Sequence, residues 1–205
     1  MQTKTNNNVI IVLCLAGLGQ RFLDKGYETP KFLLSSKNSQ ITILELILQN
    51  FILSGSNEFI LMLNKRHQLW ENKINSIAKK LKITFNIEFI EDTRGQAETA
   101  YYATEILNNS NNKNKFLDSP IAFHNGDTIL VGRDLKLVNK IISKSFDGLI
   151  DTFESLSENF SYISTDSNSI VKKIIEKKVI SNRATSGFYV FSNFNNYRYL
   201  YKKIN

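Results

Sequence analysis

The sequence predicts an α/β fold with a doubly wound, mostly parallel central sheet. Three observations lead there. Strand-like and helix-like segments alternate over residues 9–145. The opening strand, Val9 to Leu15, is apolar without a break, and Gly17, Gly19, Gly26 and Pro30 make a glycine-rich loop of the stretch that follows. Alternation with amphipathic helices is the pattern of βαβ units, and a strand apolar at every position is covered on both faces. In such sheets ligands sit beyond the carboxyl ends of the strands, so the loops to read for function are 16–32, 91–97 and 124–128.

The elements follow in order. Val9 to Ala16 superficially resembles the apolar part of a signal peptide, but only Lys4 precedes it as a charged side chain and a glycine loop follows at once, so a buried strand fits better. Ile43 to Leu53 places Ile43, Leu44, Ile47, Leu48 and Phe51 on one helical face, with Gly55 just past its end. Phe59 to Leu63 is a second apolar strand. Gln68 to Leu81 reads as one helix with Leu69, Ile74, Ile77, Ala78 and Leu81 at helical spacing, and Ile83 to Ile90 alternates as a strand does. Ala97 to Leu107 is a helix, followed by a polar asparagine-rich loop. Pro120 to Phe123 opens a fourth strand, and Leu135 to Ile142 is a helix. The remainder forms a smaller β-rich subregion: Gly148 to Phe153, Tyr162 to Ser164, Ile170 to Ile175 and Thr185 to Phe191, with a short aromatic helix from Phe194.

Composition narrows the function classes. With 205 residues, 42% of them apolar, the chain can bury a core, which excludes global disorder. A single cysteine, Cys14, excludes an internal disulfide framework and a multi-cysteine zinc site. No apolar run approaches the roughly 20 residues that span a bilayer, and a cytoplasmic setting is expected. The net charge of +7 comes from scattered lysines, which reads first as an ordinary basic surface and only second as a nucleic-acid footprint.

Four stretches could carry chemistry. Leu15-Ala16-Gly17-Leu18-Gly19-Gln20-Arg21-Phe22, closing at Pro30-Lys31, sets closely spaced glycines after a buried strand, where backbone N–H groups can approach a phosphate and cations neutralise it. It lacks the third glycine of a dinucleotide fingerprint and the Gly-Lys-Ser/Thr of a P-loop. Arg94-Gly95-Gln96-Ala97 joins a strand to a helix and offers free amides. Asn125-Gly126-Asp127 ends a buried strand with a carboxylate that can hold Mg²⁺ against phosphate oxygens. Glu176-Lys177, then Thr185-Ser186-Gly187-Phe188-Tyr189, could read a hydroxyl and a phosphate. Taken one at a time, these also fit a plain glycine turn, a helix start, an Asn-Gly turn and a solvated ion pair. His124 reads as a structural histidine.

Taken together, in this order and spacing, the four resemble the sugar-phosphate nucleotidylyltransferase family: glucose-1-phosphate thymidylyl- and uridylyltransferases and the related cytidylyltransferases. The resemblance spans residues 9–192 and is closest to variants of capsule-polysaccharide biosynthesis, whose loop reads Ala-Gly-x-Gly-x-Arg-Phe and then Gly-Tyr-x-x-Pro-Lys, as Gly26-Tyr27 and Pro30-Lys31 do here. It implies a Rossmann-like nucleotidyltransferase fold in a single domain. Residues 1–8 would be a flexible N-terminus, about 9–145 the nucleotide-binding part and about 146–192 the acceptor-side strands. It also implies transfer of NMP from CTP, UTP or dTTP to a small phosphorylated acceptor, with Mg²⁺ as cofactor. Arg21 and Lys31 would be catalytic; Leu15, Ala16, Gly17, Gly19, Gly95, Gln96 and Gly126 would bind nucleotide; Glu176, Lys177 and Gly187 would face the acceptor; and Asp127 would carry the metal.

One feature departs from the family. Its second metal aspartate follows the strand that matches Thr185 to Phe191, and here no Asp or Glu occurs after Glu176, which reads as a shortened C-terminus. Two other functions stay open: a nucleotide-binding relative with weakened or no catalysis, and a basic nucleic-acid-binding domain. Neither nucleic acid nor membrane is an expected partner, and self-association stays open.

Overall fold

The computed structural model describes residues 8–17, 19–35, 39–111, 113–143 and 146–204, without the side chains of Arg21 and Leu23. Most of the N-terminus expected to be flexible (residues 1–7), Leu18 of the glycine loop and the Arg21 side chain therefore lie outside it. The chain runs β1 (Ile10–Leu15), α1 (Gln20–Leu23), α2 (Ile43–Leu53), β2 (Phe59–Asn64), α3 (Glu71–Leu81), β3 (Asn86–Ile90), α4 (Gln96–Asn109), α5 (Lys113–Phe116), β4 (Ile121–Asn125) and α6 (Leu135–Ile142). Then follow β5 (Gly148–Glu154), β6 (Ser161–Thr165), β7 (Val171–Glu176), β8 (Arg183–Phe191) and α7 (Phe194–Ile204).

All eight strands form one sheet in the order β3-β2-β1-β4-β8-β6-β7, with β5 pairing β8 beside that path. The first four are parallel, and β8 joins them antiparallel, pairing Phe123 with Tyr189 and His124 with Phe188. The expected doubly wound parallel sheet is present, and the β-rich subregion continues the same sheet.

Strand β1 lies inside the sheet, between β2 and β4, and its alternate residues serve two cores. Ile11, Leu13 and Leu15 pack with Leu44, Leu48 and Phe51 of α2 and with Ile74 and Ile77 of α3. Ile10 and Val12 face the other way, against Ala100, Ala103 and Leu107 of α4 and Phe194 and Tyr197 of α7. Burying one such aliphatic side chain contributes about 1.5–3 kcal/mol. Helix α2 starts where Thr42 Oγ1 accepts the Glu45 amide at 3.2 Å, and Gly55, at φ 98°, ends it. Asp134 caps α6 by accepting the Lys136 and Leu137 amides at 2.9 and 3.1 Å.

Three segments differ from the sequence expectation. The helix expected from Gln68 is a 3₁₀ turn over Lys65–Trp70, and the α-helix begins only at Glu71. Asn64 causes this, since its side chain accepts the Arg66 amide at 3.0 Å and sets a tight turn. The strand expected from Ile83 begins at Asn86, because Lys82, at φ 56°, ends α3 with the Ile83 amide bonded back to the Ala78 carbonyl. Part of the asparagine-rich loop winds into α5, which buries Phe116.

Candidate active site

The carboxyl ends of β1 and β4 open into a cleft with two halves. One, about 430 Å³, is lined by Leu15, Gly17, Gly19, Lys31, Asn125 and Asp127 among others. The second, also about 430 Å³, shares Asn125 and Asp127 with the first and adds Gln96, Phe153, Phe160, Thr185, Gly187 and Tyr189. The first half is the glycine-loop side; the second is walled by β5, β6 and β8.

On the loop side the backbone leaves the sheet at Leu15 and turns at Gly19, whose φ of 63° also starts α1. The Tyr27 amide returns to the Phe22 carbonyl at 3.0 Å, and Pro30 precedes a 3₁₀ turn, Lys31–Leu33, that aims Lys31 back into the cleft. Lys31 Nζ lies 5.5 Å from the Phe22 ring centroid and 2.8 Å from Asp127 Oδ2. Cation and carboxylate, 96 residues apart in the chain, thus meet at the junction of the two halves. Their side chains are 36% and 43% exposed, open enough to exchange this contact for a ligand. Cys14 lies below them, and burial pushes its thiol up to about 12, so it is a neutral floor rather than a nucleophile.

Two glycines set the junction by close approach. A Cβ on Gly126 would lie 2.1 Å from Leu15 Cδ2, so the turn carrying Asp127 passes directly over the end of β1. Gly187, at φ 82°, sits where the β5–β8 register breaks: one residue separates Ile150 from Thr152, while three separate their partners Tyr189 and Thr185. The bulged strand is pressed so close that a Cβ there would lie 2.5 Å from Asn125 Nδ2. Gln96 Nε2 donates to the Gly187 carbonyl at 3.3 Å, and Thr185 and Tyr189 share a hydrogen bond of 3.0 Å.

The Asp127 turn is supported from beneath. His124 is buried edge-on between Phe51 and Phe188, and its Nε2–H donates to the Thr128 carbonyl at 2.8 Å. Burial lowers its pKa, with Thr128, Asp127 and Asp151 acting in the opposite sense. The structural role expected of this histidine has a specific content: it fixes the turn.

Of the expected site residues, Leu15, Gly17, Gly19, Lys31, Gly126 and Asp127 line the loop-side half, and Gln96, Asp127 and Gly187 line the other. Ala16 is buried behind the loop, and Gly95, at φ 150°, sits just before α4. Arg21 is placed on α1 by its backbone alone. Glu176 and Lys177 stand outside the lining: they pair with each other at 3.3 Å with side chains 74% and 67% exposed. Glu176 is nonetheless the direct cross-strand partner of Ser161, which does line the cavity, so the pair sits at its rim. Asn125, Phe153, Phe160 and Tyr189 received no role from sequence. The two phenylalanines, in edge contact at 5.0 Å, carry no motif and become neighbours only when β5 and the turn after it fold together.

A divalent metal has a limited donor set here. Among the described residues no group of three or more His, Cys, Asp or Glu converges. Asp127 and Asn125, whose buried Oδ1 has no hydrogen-bond partner, line the same two cavities. One carboxylate with a neutral oxygen fits Mg²⁺, which takes one or two protein carboxylates and completes its shell with water and substrate phosphates.

Known proteins share this fold. The nucleotidyl transferase family model matches residues 10–200. A nucleoside-diphosphate-sugar pyrophosphorylase structure from Vibrio cholerae superposes with a TM-score of 0.76 at 27% identity, over 95% of this chain and 78% of that one. A UDP-glucose pyrophosphorylase solved with UDP-glucose superposes with a TM-score of 0.73 at 15% identity, over 96% and 80% of the two chains, and shares the fold. So does a provisionally named glucose-1-phosphate thymidylyltransferase from Bacillus anthracis, with a TM-score of 0.72 at 16% identity over 96% and 75%. Among proteins of curated function, none matches significantly.

Proposed function

The chain belongs to the nucleotidyl transferase family, and from that premise we propose that it transfers a nucleoside monophosphate from a nucleoside triphosphate to a sugar phosphate, releasing pyrophosphate. The observation that carries this reading is the 2.8 Å meeting of Lys31 and Asp127 where the glycine-loop half joins the β8-walled half. A triphosphate laid along the loop would bring its α-phosphate to that junction, and an acceptor in the other half would present its phosphate there.

A phosphate oxygen of the acceptor attacks the α-phosphorus. A new P–O bond forms, the α–β bridging bond breaks, and the electron pair leaves with pyrophosphate. Little covalent chemistry falls to the protein, so its contribution is position and charge. Lys31 bridges the α-phosphate and the acceptor phosphate, and Arg21 holds the departing pyrophosphate. Backbone from Leu15 to Gly19, with Gly126, Gly95 and Gln96, holds ribose and base. Glu176 and Lys177 read the far end of the acceptor from the rim, and Gly187 admits it to the wall. Asp127 with Asn125 would hold Mg²⁺, whose contribution when bound is neutralisation of phosphate oxygens. The acceptor is a sugar 1-phosphate or, as the loop's likeness to capsule-biosynthesis variants suggests, a phosphocholine- or phosphoglutamine-like phosphate. A cytoplasmic setting goes with these soluble substrates.

The test is pyrophosphate release with CTP, UTP or dTTP against glucose 1-phosphate, phosphocholine and phosphoglutamine, with Mg²⁺ present. One combination is expected to turn over well above the others. Silence of the folded protein across the whole panel would overturn the reading. A second reading rests on the single carboxylate lining the cleft among the described residues: saturable triphosphate binding without pyrophosphate release would identify a nucleotide-binding relative that does not catalyse.

A further inference from the structure

Two features outside the assigned site converge on Asp151. Arg133, in the loop between Asp127 and α6, donates from Nε and Nη2 to the two Asp151 carboxylate oxygens at 2.8 and 2.9 Å. Asp151 is also the one β5 residue facing the β8 bulge, and its carbonyl accepts from Ser186 Oγ at 3.4 Å. A bidentate pair fixes both distance and plane, and a bulge re-aims the strand that carries it.

We propose that Arg133 and Asp151 are positioning residues that lock the Asp127 loop to the bulged β8 wall, holding the two halves of the cleft at one separation. This rests on the proposed transfer reaction, in which triphosphate and acceptor occupy different halves. A triphosphate lies along the loop half and meets the other only at Gln96, which stands on α4 and not on the elements that Arg133 and Asp151 join. A ligand spanning both halves needs the separation as well, and so does in-line attack of one substrate on the other. Arg133 Nη1 also donates to the Val131 carbonyl at 3.3 Å, so the guanidinium braces its own loop while it grips Asp151.

Asp151→Asn and Arg133→Lys keep size and lose the two-pronged contact. Wild type and variants are titrated by calorimetry with CTP, UTP and dTTP, and separately with CDP-glucose, UDP-glucose and dTDP-glucose; kcat and both KM values follow for the active pair. The expected result is triphosphate affinity within twofold of wild type, nucleotide-sugar affinity down about tenfold, and loss confined to kcat and acceptor KM. Arg133→Lys should retain more than Arg133→Ala. Equal affinities for both ligand classes in a variant with a lowered melting temperature would overturn the proposal, leaving the pair a stabilising contact alone. Equal loss of both classes would overturn it too. Failure of wild type to bind either class would instead count against the transfer reaction, so the two failures are distinguishable.

Discussion

The glycine loop and the junction of the two halves use glycine for opposite reasons. On the loop side a Cβ at Gly17 or Gly19 would meet nothing within 4 Å, whereas at Gly126 and Gly187 it would run into Leu15 and Asn125. The loop glycines leave space that a ligand's phosphates can fill, and Gly19 adds a left-handed turn. Gly126 and Gly187, at the junction of the two halves, hold space that the protein has already filled. The loop is open where an occupant would lie, while the junction is packed and sets the shape an occupant must meet.

Substitutions can break that contrast. The largest effect is expected at the junction: Lys31→Ala should lower kcat by about 10²–10³, the usual cost of one electrostatic contact to a reacting group, with the thermal transition unchanged. Near-normal turnover in steady-state assays would remove Lys31 from the reaction. Next comes Gly187→Ala, which combines a positive φ with overlap at Asn125 and should destabilise by about 1–3 kcal/mol, measured by denaturant unfolding, as well as impair acceptor binding. Gly17→Ala is its counterpart. Stability should stay within about 0.5 kcal/mol while triphosphate KM rises. If both glycine variants lost stability equally, the contrast would fail.

The smallest effect is pH dependence of the support beneath the Asp127 turn. Burial depresses the pKa of His124 and, with help from Arg66, that of His67. The unfolded chain then binds protons first. Stability is full above the ordinary value of 6.5 and falls as pH drops from there towards the lowered folded values, by at most about 1.4 kcal/mol per pH unit for each histidine. Glu105, held below the usual range by Arg198, loses its contribution only at lower pH still. Melting temperatures between pH 7.5 and 5 should decline, and His124→Asn should shallow the slope. An unchanged slope would show that His124 does not titrate in this window.

How far sequence reaches depends on how local the cause is. The bounds expected for α2 and α6 are the ones observed, because the residues that fix them, Thr42, Gly55 and Asp134, act within one helical turn. The start of α3 differs from its apolar spacing because Leu69 fits a helical stripe, while Asn64 diverts the backbone there by a side-chain hydrogen bond that spacing does not reveal. The glycine loop and the Asn-Gly-Asp turn were legible as motifs. Glu176 and Lys177 were legible as a charged pair, yet only the β6–β7 register shows them at a rim rather than in the lining.

The sequence by itself determined the order of elements, the two-faced burial of β1 and the residue types at each strand end, since these follow from periodicity and local backbone freedom. Only the tertiary structure decided that Lys31 meets Asp127, that the β8 bulge presses Gly187 onto Asn125, and that Arg133 grips Asp151. Each of those contacts joins residues of different elements, and its geometry depends on how the whole sheet twists and packs.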